Sequence, residues 1–265
     1  MAIESVPLYQ QQIAFAIGLL GIYIGWRGTI SRMTGFFDMA GAAKNLLYGI
    51  VVGMLFAVLI DGYILFSILE ERLNIYTMSS LAILISLSES AFVLFILGRP
   101  RVVALRASPP NGWALGLGMG SMHSSVLIVR LFDNNLLISS YSGFGPFSIF
   151  LAFLISVSAC LGLALINTWQ GTKILENKRF RPLLISSIAR AVLVVSLILS
   201  LFLPLIMMAI IPVIGLVWDL AQRNWILSGM TPAAKQAFRR TLRQSKKHEM
   251  AANYRIKGNI LDSEE

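Results

Sequence analysis

Apolar residues run along this chain in long unbroken stretches, separated by short segments that hold most of its Lys and Arg. A hydrocarbon core about 30 Å thick takes roughly 20 consecutive apolar residues per helical crossing. Runs of that kind fall at 9–26, 45–69, 76–97, 112–131 and 147–168, and a longer one extends from Leu183 to Trp218. They are continuous rather than alternating with the two-residue period of a barrel strand, so they predict spanning helices. The last run has 36 residues, which as one helix would measure about 54 Å and overshoot any bilayer core. Pro204 near its midpoint supplies a break. A hairpin at about 201–204 turns this run into two spans, and a re-entrant pair over 183–218 is the alternative.

The distribution of charge decides the count. With that hairpin, the segments 27–44, 98–111 and 169–182 and the tail after 221 fall on one side and hold 19 of the chain's 22 Lys and Arg. Arg72 and Arg130 fall on the other side and Arg190 lies within a span. Cytoplasmic loops carry the excess of basic residues, so the predicted fold is all-α: a polytopic transmembrane bundle of seven spans, N-terminus out and C-terminus in. A single crossing of the long run would export the most basic segment. The simplest partition is a membrane domain over 1–221 and a cytoplasmic basic tail over 222–265.

Composition agrees. Of 265 residues 56% are hydrophobic and 13% charged, against about a quarter charged in soluble domains. The net charge of +9 is accounted for by loop placement and implies no nucleic-acid partner. MAIESVPLYQQQ has Glu4 and no basic residue before Arg27, so the first run reads as a retained span rather than a cleaved leader. Cys160, the single cysteine, allows no intrachain disulfide and no thiolate metal cluster. In the tail, Thr231 and Pro232 form a cap and first-turn pair for a basic helix over TPAAKQAFRRTLRQSKKHEM, with Phe238 and Leu242 on one face. Arg239, Arg240, Arg243, Lys246 and Lys247 are its candidate contacts with anionic lipid headgroups, and AANYRIKGNILDSEE reads as loosely ordered.

Ionisable residues at membrane depth cost about 2.5–3.5 kcal/mol each on insertion scales and need partners, a wet cavity or a function. Four require explanation: Asp61, Glu89, His123 and Arg190. Counted from the ends of antiparallel spans, Glu89 and His123 both approach the midplane. A carboxylate and an imidazole there can bind a metal, move protons or satisfy each other. They are the candidates for catalysis, and the serines at 86, 88, 90, 121, 124 and 125 offer neutral partners. A hydrolytic zinc site needs about three protein ligands and an open position, and His123 is the one histidine within a span. No metal and no other cofactor is expected. Gly112, Gly116, Gly120 and Ser124 recur every fourth residue, which aligns small side chains for close helix packing.

ISLSESAFV, followed by the basic GRPRVVALR and by GLGMGSMH, resembles the YhfC-like branch of the intramembrane metalloprotease superfamily that includes the CAAX prenyl-protease type and the PrsW proteins. That family carries an acidic pair and an arginine on one span and then a glycine-rich span of the form GxGHGxxE. The stretch LISVSACLGLALINTWQGTKILENKRFRPLLISSIARAVLVV resembles its two following spans. Here Glu89 alone stands for the acidic pair, Met119 stands at the histidine position and His123 at that of the glutamate. The fifth span has no histidine, and Arg190 lies about where the sixth would offer one. The resemblance implies a protease-like scaffold without a complete metal site. The expected role is therefore that of a scaffold, assembly factor or structural subunit in the cell membrane, with the lipid bilayer and other membrane proteins as partners. A solute or ion carrier and an active intramembrane metalloprotease are the alternatives.

Overall fold

The computed structural model describes residues 6–65, 75–133 and 141–256; within its helices the side chains of residues 75, 246 and 252–256 are outside that description. Arg72 and the end of the 45–69 run thus lie outside the described residues. Seven helices are long and apolar enough to cross a membrane. They are built on α1 (Leu8–Gly25), α2 (Met39–Ile60), α3 (Ile75–Leu97), α4 (Ser108–Leu131), α5 (Pro146–Leu175), α6 (Phe180–Ser200) and α7 (Ile206–Leu220), the last continuing through further helical turns to Gly229. Among the described residues there is no strand. π-helical turns continue three of the helices, at Trp26–Ile30, Asp61–Leu65 and Ala221–Trp225.

The long run after Leu183 divides as the hairpin reading requires, with α6 and α7 separated at 201–205 around Pro204. Pro212 sits inside α7 without ending it, since one missing donor is tolerated where the chain remains helical on both sides. α4 begins at Ser108 with Pro109 and Pro110 in its first turn, where a missing N–H leaves nothing unpaired. α5 runs on to Leu175, seven residues past the expected end. The polar sequence INTWQ, which suggests a span end, is instead absorbed by packing: Thr168 donates to the Ala164 carbonyl at 2.7 Å and Gln170 to the Ser90 carbonyl at 2.9 Å.

α4 is the central helix, with 83% of its span buried against 17% for α7. It packs on α5, α2 and α1, while α3 packs chiefly on α6. Backbone-to-backbone approach makes this possible. A Cβ on Gly116 or Gly120 would meet the backbone of Ala164 or Cys160 on α5 at 2.5 Å or closer. Gly112 meets the Asn167 carbonyl in the same way, and the Ser124 hydroxyl turns back to the Ser121 carbonyl at 2.9 Å. The spacing pattern missed a second face: Gly118 abuts Leu46 and Ile50 of α2, whose own Gly49 and Gly53 abut Leu115 and Met119. α4 is thus clamped from two sides through small residues, the geometry that compensates in lipid for the absence of a hydrophobic drive between helices. Ser156 of α5 adds a bond of 2.7 Å to the Ile17 carbonyl of α1, and Trp113 of α4 one of 3.1 Å to the Gly25 carbonyl. Cys160 is buried in this contact, beside the Gly18 carbonyl. Outward faces carry exposed apolar side chains such as Val51, Leu84, Phe95, Val192, Met208 and Leu216, an exterior suited to lipid rather than water.

The compact unit extends to Gly229, and the described residues from Met230 on form a second one. Its helix, α8 (Pro232–Ile256), starts where the Ala234 N–H donates to the Thr231 hydroxyl at 3.3 Å. It continues through 251–256, which the sequence reading left loosely ordered; AANYRI contains good helix formers and neither Gly nor Pro. Residues 257–265 lie outside the described residues.

Candidate functional site

Four helices contribute to one buried polar cluster: Glu89 from α3, His123 from α4, Asn167 from α5 and Arg190 from α6. Glu89, Asn167 and Arg190 are fully buried and His123 is 3% exposed. His123 Nε2 lies 2.9 Å from Glu89 Oε1, and Arg190 Nη1 lies 3.5 Å from Glu89 Oε2. Arg190 Nη2 donates to Asn167 Oδ1. The amide nitrogen of Asn167 is in turn 3.7 Å from the Met119 sulfur, and Gln170 of α5 reaches the Ser90 carbonyl of α3 at 2.9 Å.

Hydrogen-bond direction constrains the protonation. His123 Nδ1 faces the Met119 carbonyl at 2.9 Å, and a carbonyl can only accept, so Nδ1 carries a hydrogen. Nε2 lies 2.9 Å from a carboxylate oxygen, close but without the angle of a formed hydrogen bond, and two acceptors so near each other call for one proton on one of them. On nitrogen it makes an imidazolium–carboxylate pair; on oxygen, a neutral imidazole and a carboxylic acid. The pair is neutral either way, and the Arg190 guanidinium leaves the whole cluster with one positive charge. This arrangement can hold a proton, orient a carboxylate and bind helices together. The void beside His123 measures about 10 Å³, the room of a single water at most.

The other expected residues are placed elsewhere. Asp61 does not join the cluster. Its two oxygens take Arg130 Nε and Nη2 at 2.7 Å each, with Asp133 3.9 Å from the same guanidinium. Nor do the flanking serines serve the central pair: the hydroxyls of Ser88, Ser121 and Ser125 bond to carbonyls of their own helices. Short hydroxyl side chains favour that local bond, and the neutral partner comes from Asn167 instead. Ser90 Oγ, Gln170 Oε1 and Arg190 Nε are buried without a hydrogen-bond partner among the described residues. Sequence reasoning missed Asn167 and Gln170. The available signal was that two amides within one turn of an apolar run need buried partners. Arg239, Arg240, Arg243 and Lys247 are exposed on α8, and the Lys246 side chain lies outside the described residues.

Among the described residues no three His, Cys, Asp or Glu side chains gather to hold a metal ion. Glu89 and His123 offer two ligand types, but the second carboxylate oxygen faces a guanidinium, and a fixed cation there opposes a dication. Compared with family models, curated proteins and solved structures, the chain matches none.

Proposed function

We propose that this multi-pass membrane protein is non-catalytic and acts as a scaffold, assembly factor or structural subunit of a membrane complex. Its plan follows an intramembrane-protease-like scaffold in which Met119, His123 and Arg190 stand where metal-site residues would be. The observation that carries the reading is that Glu89 is fully buried between His123 and Arg190. A protease must admit a peptide and a water to its carboxylate, and a carrier must admit a solute. A carboxylate enclosed by an imidazole and a guanidinium serves instead to hold α3, α4 and α6 in register. The basic segments favour an N-terminus outside and a C-terminus inside the cell membrane, with α8 along anionic headgroups.

Zinc analysis of protein purified without chelators, combined with flux assays in proteoliposomes, tests this. The expected result is well under one zinc per chain and no flux that depends on Glu89. Stoichiometric zinc with proteolysis lost in Glu89→Gln would establish the protease, and solute or proton flux abolished by Glu89→Gln would establish the carrier; either defeats the proposal.

A further inference from the structure

A groove of about 530 Å³ lies between α5, α6 and α7, lined almost wholly by apolar side chains. On α6 its lining residues Ile185, Ala189, Val192 and Ser196 follow one another at intervals of three or four, a single helix face. Four residues before Ile185 on that face comes Arg181, which is exposed and has no partner among the described residues. On α5 the lining residues Leu165 and Trp169 lead in the same spacing to Lys173. Because α5 and α6 are antiparallel and joined at 176–179, Lys173 and Arg181 stand at the same end of the groove. Lys173 pairs with Glu176 at 2.8 Å; Arg179, also in this end segment, is exposed and has no side-chain partner among the described residues. Trp169 and Trp225 line this same end, the level at which indole rings favour the bilayer interface.

We infer that the groove holds one acyl chain of an anionic glycerophospholipid, with its phosphate against Arg181 and Lys173. Exposure argues for a chain: Ile185, Val192 and Val213 of the lining are exposed, so the groove opens on the side that faces the bilayer, whose acyl chains are the apolar groups at that depth. Charge argues for the headgroup. Moving an acyl chain from bilayer to groove exchanges one apolar surrounding for another, so selectivity must come from the cations at the mouth, which a phosphate complements.

Native mass spectrometry in mild detergent, with dioleoyl phosphatidylglycerol and dioleoyl phosphatidylcholine titrated separately, tests the inference. The expected result is one phosphatidylglycerol retained per chain at an affinity at least tenfold above that of phosphatidylcholine. Arg181→Gln combined with Lys173→Gln lowers it to the phosphatidylcholine level, Arg181→Lys keeps it, and Ala189→Phe displaces the lipid by filling the groove. The two charge substitutions lie outside the packed core, so they remain informative if Ala189→Phe fails to fold. Equal affinity for the two lipids, or phosphatidylglycerol binding unchanged in the double variant, overturns the inference. So does a disulfide-linked dimer of Ala189→Cys, which would make the groove a contact between copies.

Discussion

Substituting Glu89 by Gln leaves Arg190 and His123 facing a neutral amide at membrane depth, so the guanidinium keeps neutral acceptors, that amide oxygen and Asn167, but loses its counter-charge. An uncompensated arginine in the middle of a span costs about 2.5–3.5 kcal/mol on insertion scales, which sets the expected loss for Glu89→Gln near 3 kcal/mol. Arg190→Met acts differently. It leaves Glu89 and His123 sharing their proton at 2.9 Å as a neutral pair, and it removes the interhelical bond to Asn167. Such bonds average about 0.6 kcal/mol and reach about 1.7 in membrane proteins. The two substitutions should therefore differ by about 1–3 kcal/mol, Glu89→Gln being the worse, and the double variant should be more stable than Glu89→Gln alone. Reversible unfolding by SDS titration in mixed micelles, followed by circular dichroism, measures all three. If Arg190→Met costs as much as Glu89→Gln, or the double variant is the least stable, the charge assignment of the cluster is wrong.

Gly116→Leu and Gly120→Leu should reduce the yield of folded protein in size-exclusion chromatography far more than His123→Ala. Their Cβ atoms meet α5 backbone, which cannot move aside as a side chain can, whereas overpacking elsewhere costs about 1–3 kcal/mol. Asp61→Asn should cost about 1–3 kcal/mol in the same SDS titration, because it breaks a bidentate pair with Arg130 that is partly buried, with 22% and 28% of the two side chains exposed. Replacing Arg239, Arg240, Arg243 and Lys247 together by Gln should weaken binding of the tail to phosphatidylglycerol vesicles by about 1 kcal/mol per residue, read by a sedimentation assay, and reduce its salt dependence. Lys173 and Lys178 hold the exposed Glu176 carboxyl below its ordinary range. Its small contribution is present at neutral pH and fades as pH falls through the lowered value, so Glu176→Gln should melt like wild type at low pH and marginally below it at pH 7.

The spans could be read from the chain because a continuous apolar run has few fates, and Pro204 marked the hairpin that splits the last one. Counting depth along antiparallel helices put Glu89 and His123 at one level, which is local arithmetic. What could not be read depends on which helices are neighbours. Asp61 meets Arg130 because α2 packs along α4. Asn167 reaches Arg190 because α5 packs along α6, and Gln170 reaches Ser90 because α5 remains helical for seven residues beyond its expected end. The small residues at 112, 116, 120 and 124 revealed one packing face of α4, whereas the face through Gly118 needed Gly49 and Gly53 opposite it. A single residue has no period to detect.

The proposed function requires that the Glu89 carboxyl be closed off by its neighbours. Labelling of the folded protein in lipid with a hydrophobic carbodiimide, mapped by peptide mass spectrometry, tests this at the residue itself. Glu89 is expected to stay unmodified in the native protein and to become reactive only on unfolding. Stoichiometric labelling of Glu89 in the folded state would show a carboxyl open to small molecules and contradict it.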